Sequence, residues 1–214
     1  MIDTLSPGCT YCCLQGCEDW TCRACERFPG MDKVVEVHAW RHDAHGFVGH
    51  NRDNASNPIV AAFTGTDPFS LPDWVDDFDF VKAAYPSPPF ACPPGPGGGC
   101  RVHRGFLEAY LQIREQVLDG LRTLRQAYPE APILLTGHSL GGVFATFAAM
   151  DVQHALNETV QALYTFGKPR VGDHAFQVRW LIYPSISKHC VAATPPLTTH
   201  YTPSRRYRIS STPR

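Results

Sequence analysis

The chain has 214 residues, 19 basic and 20 acidic side chains, a formal net charge of −1 and 43% hydrophobic residues. That is the size and apolar content of one globular domain, able to bury roughly 70% of its unfolded surface. No run approaches the ~20 apolar residues of a membrane-spanning helix. The near-zero net charge is uneven: residues 174–214 hold six basic and no acidic side chains, which could bind nucleic acid or anionic lipid, but a solvated tail is the favoured reading and no nucleic-acid partner is expected.

Met1 to Thr10 has neither a basic start nor an apolar run, so no signal peptide is legible there. The chain reads as cytosolic, or as starting downstream of a true N-terminus. Six of its nine cysteines fall in the first 25 residues: Cys9, Cys12, Cys13, Cys17, Cys22 and Cys25. Cys9-x-x-Cys12 and Cys22-x-x-Cys25 admit a zinc site, but the nine-residue gap is short for one and leaves Cys13 and Cys17 over. Disulfides in a secreted protein are the favoured reading, with free thiols as the third. Asn54-Ala55-Ser56 and Asn157-Glu158-Thr159 are glycosylation sequons and lean the same way.

Residues 1–30 form a Cys-rich, irregular segment, expected to pack on a core spanning 31–180. Within that core, Lys33 to Ala39 reads as a strand and Arg41 to Asn54 as a short hairpin or loop around Gly46-Phe47-Val48-Gly49. Ile59-Val60-Ala61-Ala62-Phe63 is a continuous apolar run, the mark of a buried strand. Residues 86–100, dense in Pro and Gly, read as a surface loop with Cys92 and Cys100 placed to close it. Phe106, Tyr110, Ile113, Val117, Leu121 and Leu124 recur at helical spacing, and Tyr128-Pro129 ends that helix.

Ile133 to Thr136 is strand-like and leads into Gly137-His138-Ser139-Leu140-Gly141, followed by a helix over 142–156. A Gly-x-Ser-x-Gly between a strand and a helix is the setting of a nucleophile elbow, in which the serine sits in a strained turn with its hydroxyl exposed. The glycines let strand and helix approach. The Leu140 N–H, at the helix start, is aimed where an oxyanion forms. The competing reading is a helix N-terminus capped by the serine. Ala162 to Phe166 is a further strand. Strand, helix, strand, helix, strand in this order predicts an α/β fold with a parallel sheet and right-handed crossovers. Residues 181–214 hold no Asp or Glu and read as an irregular basic tail rich in Ser, Thr and Pro.

Five blocks in order resemble the class 3, fungal-type lipases of the α/β-hydrolase family. They are Val60-Ala61-Ala62-Phe63-Thr64-Gly65-Thr66, Asp73-Trp74-Val75-Asp76-Asp77-Phe78, Val102-His103-Arg104-Gly105-Phe106 with Tyr110, the elbow, and Tyr164-Thr165-Phe166-Gly167-Lys168-Pro169-Arg170-Val171-Gly172-Asp173. Tyr11-Cys12 and Trp20-Thr21-Cys22-Arg23-Ala24-Cys25 are similar to a cysteine arrangement in secreted members.

The resemblance implies a mostly parallel sheet with helices on both faces, its C-terminal strands missing or altered. It implies hydrolysis of carboxylic esters such as triacylglycerols, with Ser139 as nucleophile and Leu140 and Thr66 holding the oxyanion. Thr64 stands where the family commonly has arginine. Residues 67–80 would be a lid that meets the lipid–water interface, with Trp74 capping the acyl site. Its acids lack the glycine and terminal glutamate of a calcium loop, so no metal is expected, and no cofactor. The resemblance also implies a secreted protein, expected as a monomer.

The same resemblance expects a triad acid at the end of the strand after Phe166 and a histidine further on. Asp173 is the last acidic residue, and its place before a helix suits it to capping. His189 and His200 are the histidines left downstream of His174; they are candidate substitute bases, and neither sits in a segment like the family's histidine loop. The expected function is a lipase-like ester hydrolase with impaired activity, or a non-catalytic lipid- or partner-binding protein on that scaffold. The expected sheet ends at Phe166 with its edge uncovered.

Overall fold

In this computed structural model the described residues are 20–21, 25–39, 44–65, 81–85, 99–181 and 187–191. Thr66, Trp74, Cys92, His200 and the five cysteines before Cys25 lie outside them. Strands along the chain are β1 (Met31–Ala39), β2 (Ala44–Asn51), β3 (Ile59–Phe63), β4 (Lys82–Ala84), β5 (Arg101–His103), β6 (Ile133–His138), β7 (Val160–Phe166) and β8 (Ser187–Val191). The helices are α1 (Arg104–Ala127), α2 (Leu140–Ala155) and α3 (His174–Leu181).

β3 has no polar side chain and is buried throughout, which is what a strand covered on both faces requires. It lies inside a six-stranded sheet of order β1-β2-β3-β6-β7-β8. The first three strands pair antiparallel. The last four are parallel, as the strand–helix alternation predicts. β4 and β5 form a separate two-stranded ribbon.

Alternate residues of β3 serve two cores. Ile59, Ala61 and Phe63 join the main core with α1 and α2. Val60 and Ala62 join Met31 and Phe47 on the other face, where Trp20, Phe28, Val34 and Leu134 pack. Each parallel crossover steps the same way across the sheet, so right-handed connections put all three helices on one face. Among the described residues the second face carries no α-helix; Trp20 and Phe28 cover it.

Two segments differ from the reading of the sequence. Residues 44–51, expected as a hairpin or loop, are strand β2, because Gly46 and Gly49 sit where neighbours close over the backbone. A Cβ at Gly46 would lie 2.5 Å from the Ala62 carbonyl oxygen, and one at Gly49 2.7 Å from the Met31 methyl. Inside the stretch expected as an irregular tail, Ser187–Val191 is strand β8, parallel to β7 over Ala162 to Phe166. The edge expected to stay uncovered is therefore paired. An edge strand is held by main-chain hydrogen bonds, which leave no apolar pattern to read.

α1 begins at His103, whose Nδ1 accepts the Phe106 N–H at 3.2 Å, and stops before Pro129. The Arg125 guanidinium donates to the carbonyls of Pro129 (2.7 Å) and Ala131 (2.8 Å), closing the turn into β6. α2 is apolar on all sides, and every residue from Leu140 to Val152 is buried. One charge interrupts it. Asp151 accepts the Tyr110 hydroxyl at 2.7 Å and both Nε (2.9 Å) and Nη2 (3.0 Å) of Arg114, locking α2 to α1. Burial, and then the Asp151 charge, push the Tyr110 hydroxyl well above the ordinary tyrosine pKa, so it stays a donor. Cys25 and Cys100 are both buried, and each is engaged in a disulfide of its own.

Candidate active site

β6 delivers the chain to Ser139 at φ 52° and ψ −123°, a conformation that costs a non-glycine residue on the order of 1–3 kcal/mol. The turn is held from both sides. The Ser139 N–H donates to the Phe166 carbonyl at 2.8 Å, and the Gly142 N–H to the Ser139 carbonyl at 3.0 Å. Ser139 stands at the N-cap of α2 but makes no side-chain capping hydrogen bond, so the reading of this serine as a mere cap does not describe it.

Glycine is required on both sides of the serine. A Cβ on Gly137 would overlap the Gly141 carbonyl, and one on Gly141 would overlap the Phe63 carbonyl and lie 2.6 Å from that of Thr64. The first turn of α2 therefore rests against the end of β3. That contact brings the Thr64-Gly65 turn beside the elbow, one residue short of Thr66. Thr64 is fixed there by donating its N–H (2.9 Å) and hydroxyl (3.1 Å) to the His45 carbonyl. Leu140 opens α2 and is buried, and its N–H is one of the first four that find no acceptor inside the helix. A helix start of this kind favours negative charge. His138, the other neighbour of Ser139, is half-buried, and desolvation holds its imidazole below the ordinary histidine pKa.

Downstream, Asp173 caps α3, its Oδ1 accepting the Phe176 N–H at 2.8 Å, as its place in the sequence suggests. It also ties this block to β5: its Oδ2 accepts the Arg101 N–H (3.2 Å), and its own N–H donates to the Arg101 carbonyl (2.8 Å). His189 belongs to β8, opposite Tyr164, which is itself opposite Thr136. Its backbone is two strands away from β6 and three residues short of the elbow, roughly 10 Å in each direction. The structure thus brings Ser139, Leu140 and the Thr64-Gly65 turn together, and leaves His189 apart.

Residues 60–193, more than half of the chain, match the family model for class 3 lipases. The chain belongs to the class 3 lipase family. It is 40% identical over 144 residues to lipase A of Sodiomyces alcalophilus, covering 62% of this chain and 33% of that protein. It is 30% identical over 176 residues to the lipase of Rhizomucor miehei, covering 81% and 42%. Among solved structures it superposes on the lipase of Rhizopus microsporus var. chinensis with TM-score 0.71 and 26% identity, covering 89% of this chain and 64% of that one. The native Rhizomucor miehei lipase–propeptide complex gives TM-score 0.68 at the same identity and covers 89% and 60%. The chain spans 33 to 42% of the length of these curated relatives.

The class 3 lipase core also uses residues that pattern reading passed over. Asp151 is the sole charged residue of α2 before its last turn, and a carboxylate in an otherwise apolar helix was its signal. Lys168 lies beside the elbow helix, its Cβ 3.0 Å from where a Cβ on Gly142 would stand.

Proposed function

We propose that this chain is a serine ester hydrolase scaffold of the lipase type, with Ser139 as nucleophile and Leu140 and Thr66 supplying the oxyanion donors. The supporting observation is the elbow: a serine at positive φ, uncommitted to capping, between β6 and α2 and against the end of β3. Ser139 Oγ would attack the carbonyl carbon of an ester. The negative charge moved onto the carbonyl oxygen would meet the Leu140 N–H at the positive end of α2. Residues 67–80, with Trp74, would form the lid that opens at a lipid–water interface, and the protein would be a secreted monomer, a location that the cysteine usage and the two sequons favour. Cys92 would close the 86–100 loop onto Cys100.

Turnover would be low. In the family the acid stands at the end of the strand after β7, which here is β8, ending at Val191. Ala192, Ala193, Thr194, Pro195 and Pro196 follow it, and no Asp or Glu occurs after Asp173. Unless His189 or His200 takes the serine proton, loss of the triad base lowers turnover by about 10⁶. The missing carboxylate also favours a second reading, a non-catalytic protein that binds lipid or a partner through the same surface.

A fluorophosphonate probe and p-nitrophenyl butyrate test both. Expected are slow labelling that Ser139→Ala abolishes and ester hydrolysis near background. Labelling that survives Ser139→Ala overturns the nucleophile. Lipase-like turnover by the unmodified chain overturns the impairment, and His189→Ala and His200→Ala then identify the substitute base.

A further inference from the structure

We propose that the chain carries N-linked glycans at Asn54 and Asn157, on the pole of the sheet opposite Ser139. The proposal rests on the secretory reading above. Both asparagines lie in Asn-x-Ser/Thr sequons with no proline at the middle position or directly after. Topology puts them on one pole. Asn54 is in the turn from β2 into β3, and Asn157 in the turn from α2 into β7. β3 and β7 both run parallel to β6, and their first residues, Ile59 and Val160, flank Ile133. Ser139 lies six residues further along β6, roughly 20 Å away at the strand rise.

Local geometry suits both sites. The Asn54 Oδ1 accepts hydrogen bonds from the N–H and the hydroxyl of Ser56, each at 3.0 Å, and neither uses the amide nitrogen, the atom that receives the sugar. Ser56 is exposed and borders an open groove walled by Asn57, Tyr128 and Pro129, which leaves space beside the turn. Asn157 is exposed at φ 54°, just past the last turn of α2, and Thr159 is exposed as well. Between them Glu158 pairs with Arg125 at 2.9 Å, which holds the turn while leaving its flanks in solvent.

The donor is an oligosaccharide linked to a lipid diphosphate. The bond from the asparagine Nδ2 to the first sugar carbon forms, and that carbon's bond to the diphosphate oxygen breaks. The lipid diphosphate leaves and the amide proton passes to base; nothing is oxidised or reduced. Sugars on this pole leave the elbow pole bare for a lipid surface.

The full chain, secreted from yeast behind a host leader, enters the glycosylation pathway whatever its own targeting. Enzymatic removal of N-glycans is expected to lower its mass in two steps and to convert Asn54 and Asn157 to aspartate in peptide maps. Asn54→Gln and Asn157→Gln should each remove one step. Secreted chain whose mass does not change overturns the proposal. A single step, lost in one variant, supports that site and overturns the other. The secretory reading has its own test: the unaltered gene product found in cells and not in the medium refutes it, whatever the leader-driven chain shows.

Discussion

Gly137 and Gly141 approach so closely that a single methyl group on the first would overlap the carbonyl of the second. This pair sets the angle at which β6 turns into α2, and hence the strained backbone of Ser139. Gly137→Ala and Gly141→Ala are each expected to lower stability by about 3 kcal/mol, because the opposing atoms are main chain and cannot swing away. Urea unfolding measures the loss, and fluorophosphonate labelling of Ser139 should fall with it.

The strain at Ser139 predicts an opposite sign for one substitution. At φ 52° and ψ −123° glycine is unstrained, so Ser139→Gly should raise stability by about 1 kcal/mol while abolishing labelling. Ser139→Ala abolishes labelling too but keeps the strain, and its melting point should stay near that of the parent.

Asp151 holds α2 against α1 through three hydrogen bonds from Tyr110 and Arg114. Asp151→Ala leaves the buried Tyr110 hydroxyl and the part-exposed Arg114 guanidinium without their acceptor and should cost about 2–3 kcal/mol. Tyr110→Phe loses one hydrogen bond to the same carboxylate and should cost about 1 kcal/mol. Equal losses in the two variants would contradict this division.

Acid should destabilise the fold through His138 and His154, both held below the ordinary histidine pKa chiefly by desolvation. As pH falls below about 6.5 the unfolded chain takes up protons before the folded one, so stability drops through that window down to the lowered folded values. Above it both states are neutral and the effect is absent. Denaturant midpoints of the parent should fall between pH 7 and pH 5, and the slope should flatten in the His138→Gln, His154→Gln double variant.

β8 covers the edge of β7, so a chain ending at Leu181 should expose Val160 to Phe166 as an unpaired edge. Size-exclusion chromatography is expected to show aggregation of the shortened chain and a monomer for the full one. Equal behaviour would mean that β8 contributes nothing to solubility.

Local rules were enough for the elements that carry a pattern. The six residues whose spacing marks α1, Phe106, Tyr110, Ile113, Val117, Leu121 and Leu124, are all buried, and the run from Ile59 to Phe63 is a strand buried on both faces. The elbow was legible because its glycines and serine answer a steric demand within five residues. Gly46 and Gly49 misled, since glycine in a chain reads as a turn, while in β2 it marks close approach of β3 and β1. β8 had no pattern at all, because its place depends on the free edge that β7 presents.

The sequence by itself determined the α/β alternation, the strand–serine–helix turn, the capping role of Asp173 and the absence of Asp and Glu from residues 174–214. Each depends on the identity of a residue or on spacing within one or two turns of chain. Only the tertiary structure decided that Ser139 leaves its helix uncapped, that the Thr64-Gly65 turn stands beside it, and that Asp151 joins Tyr110 and Arg114 across 41 and 37 residues. It also decided that His189 lies two strands away from β6. These depend on which strands become neighbours, a choice set by burying the whole core at once and carried by no single segment.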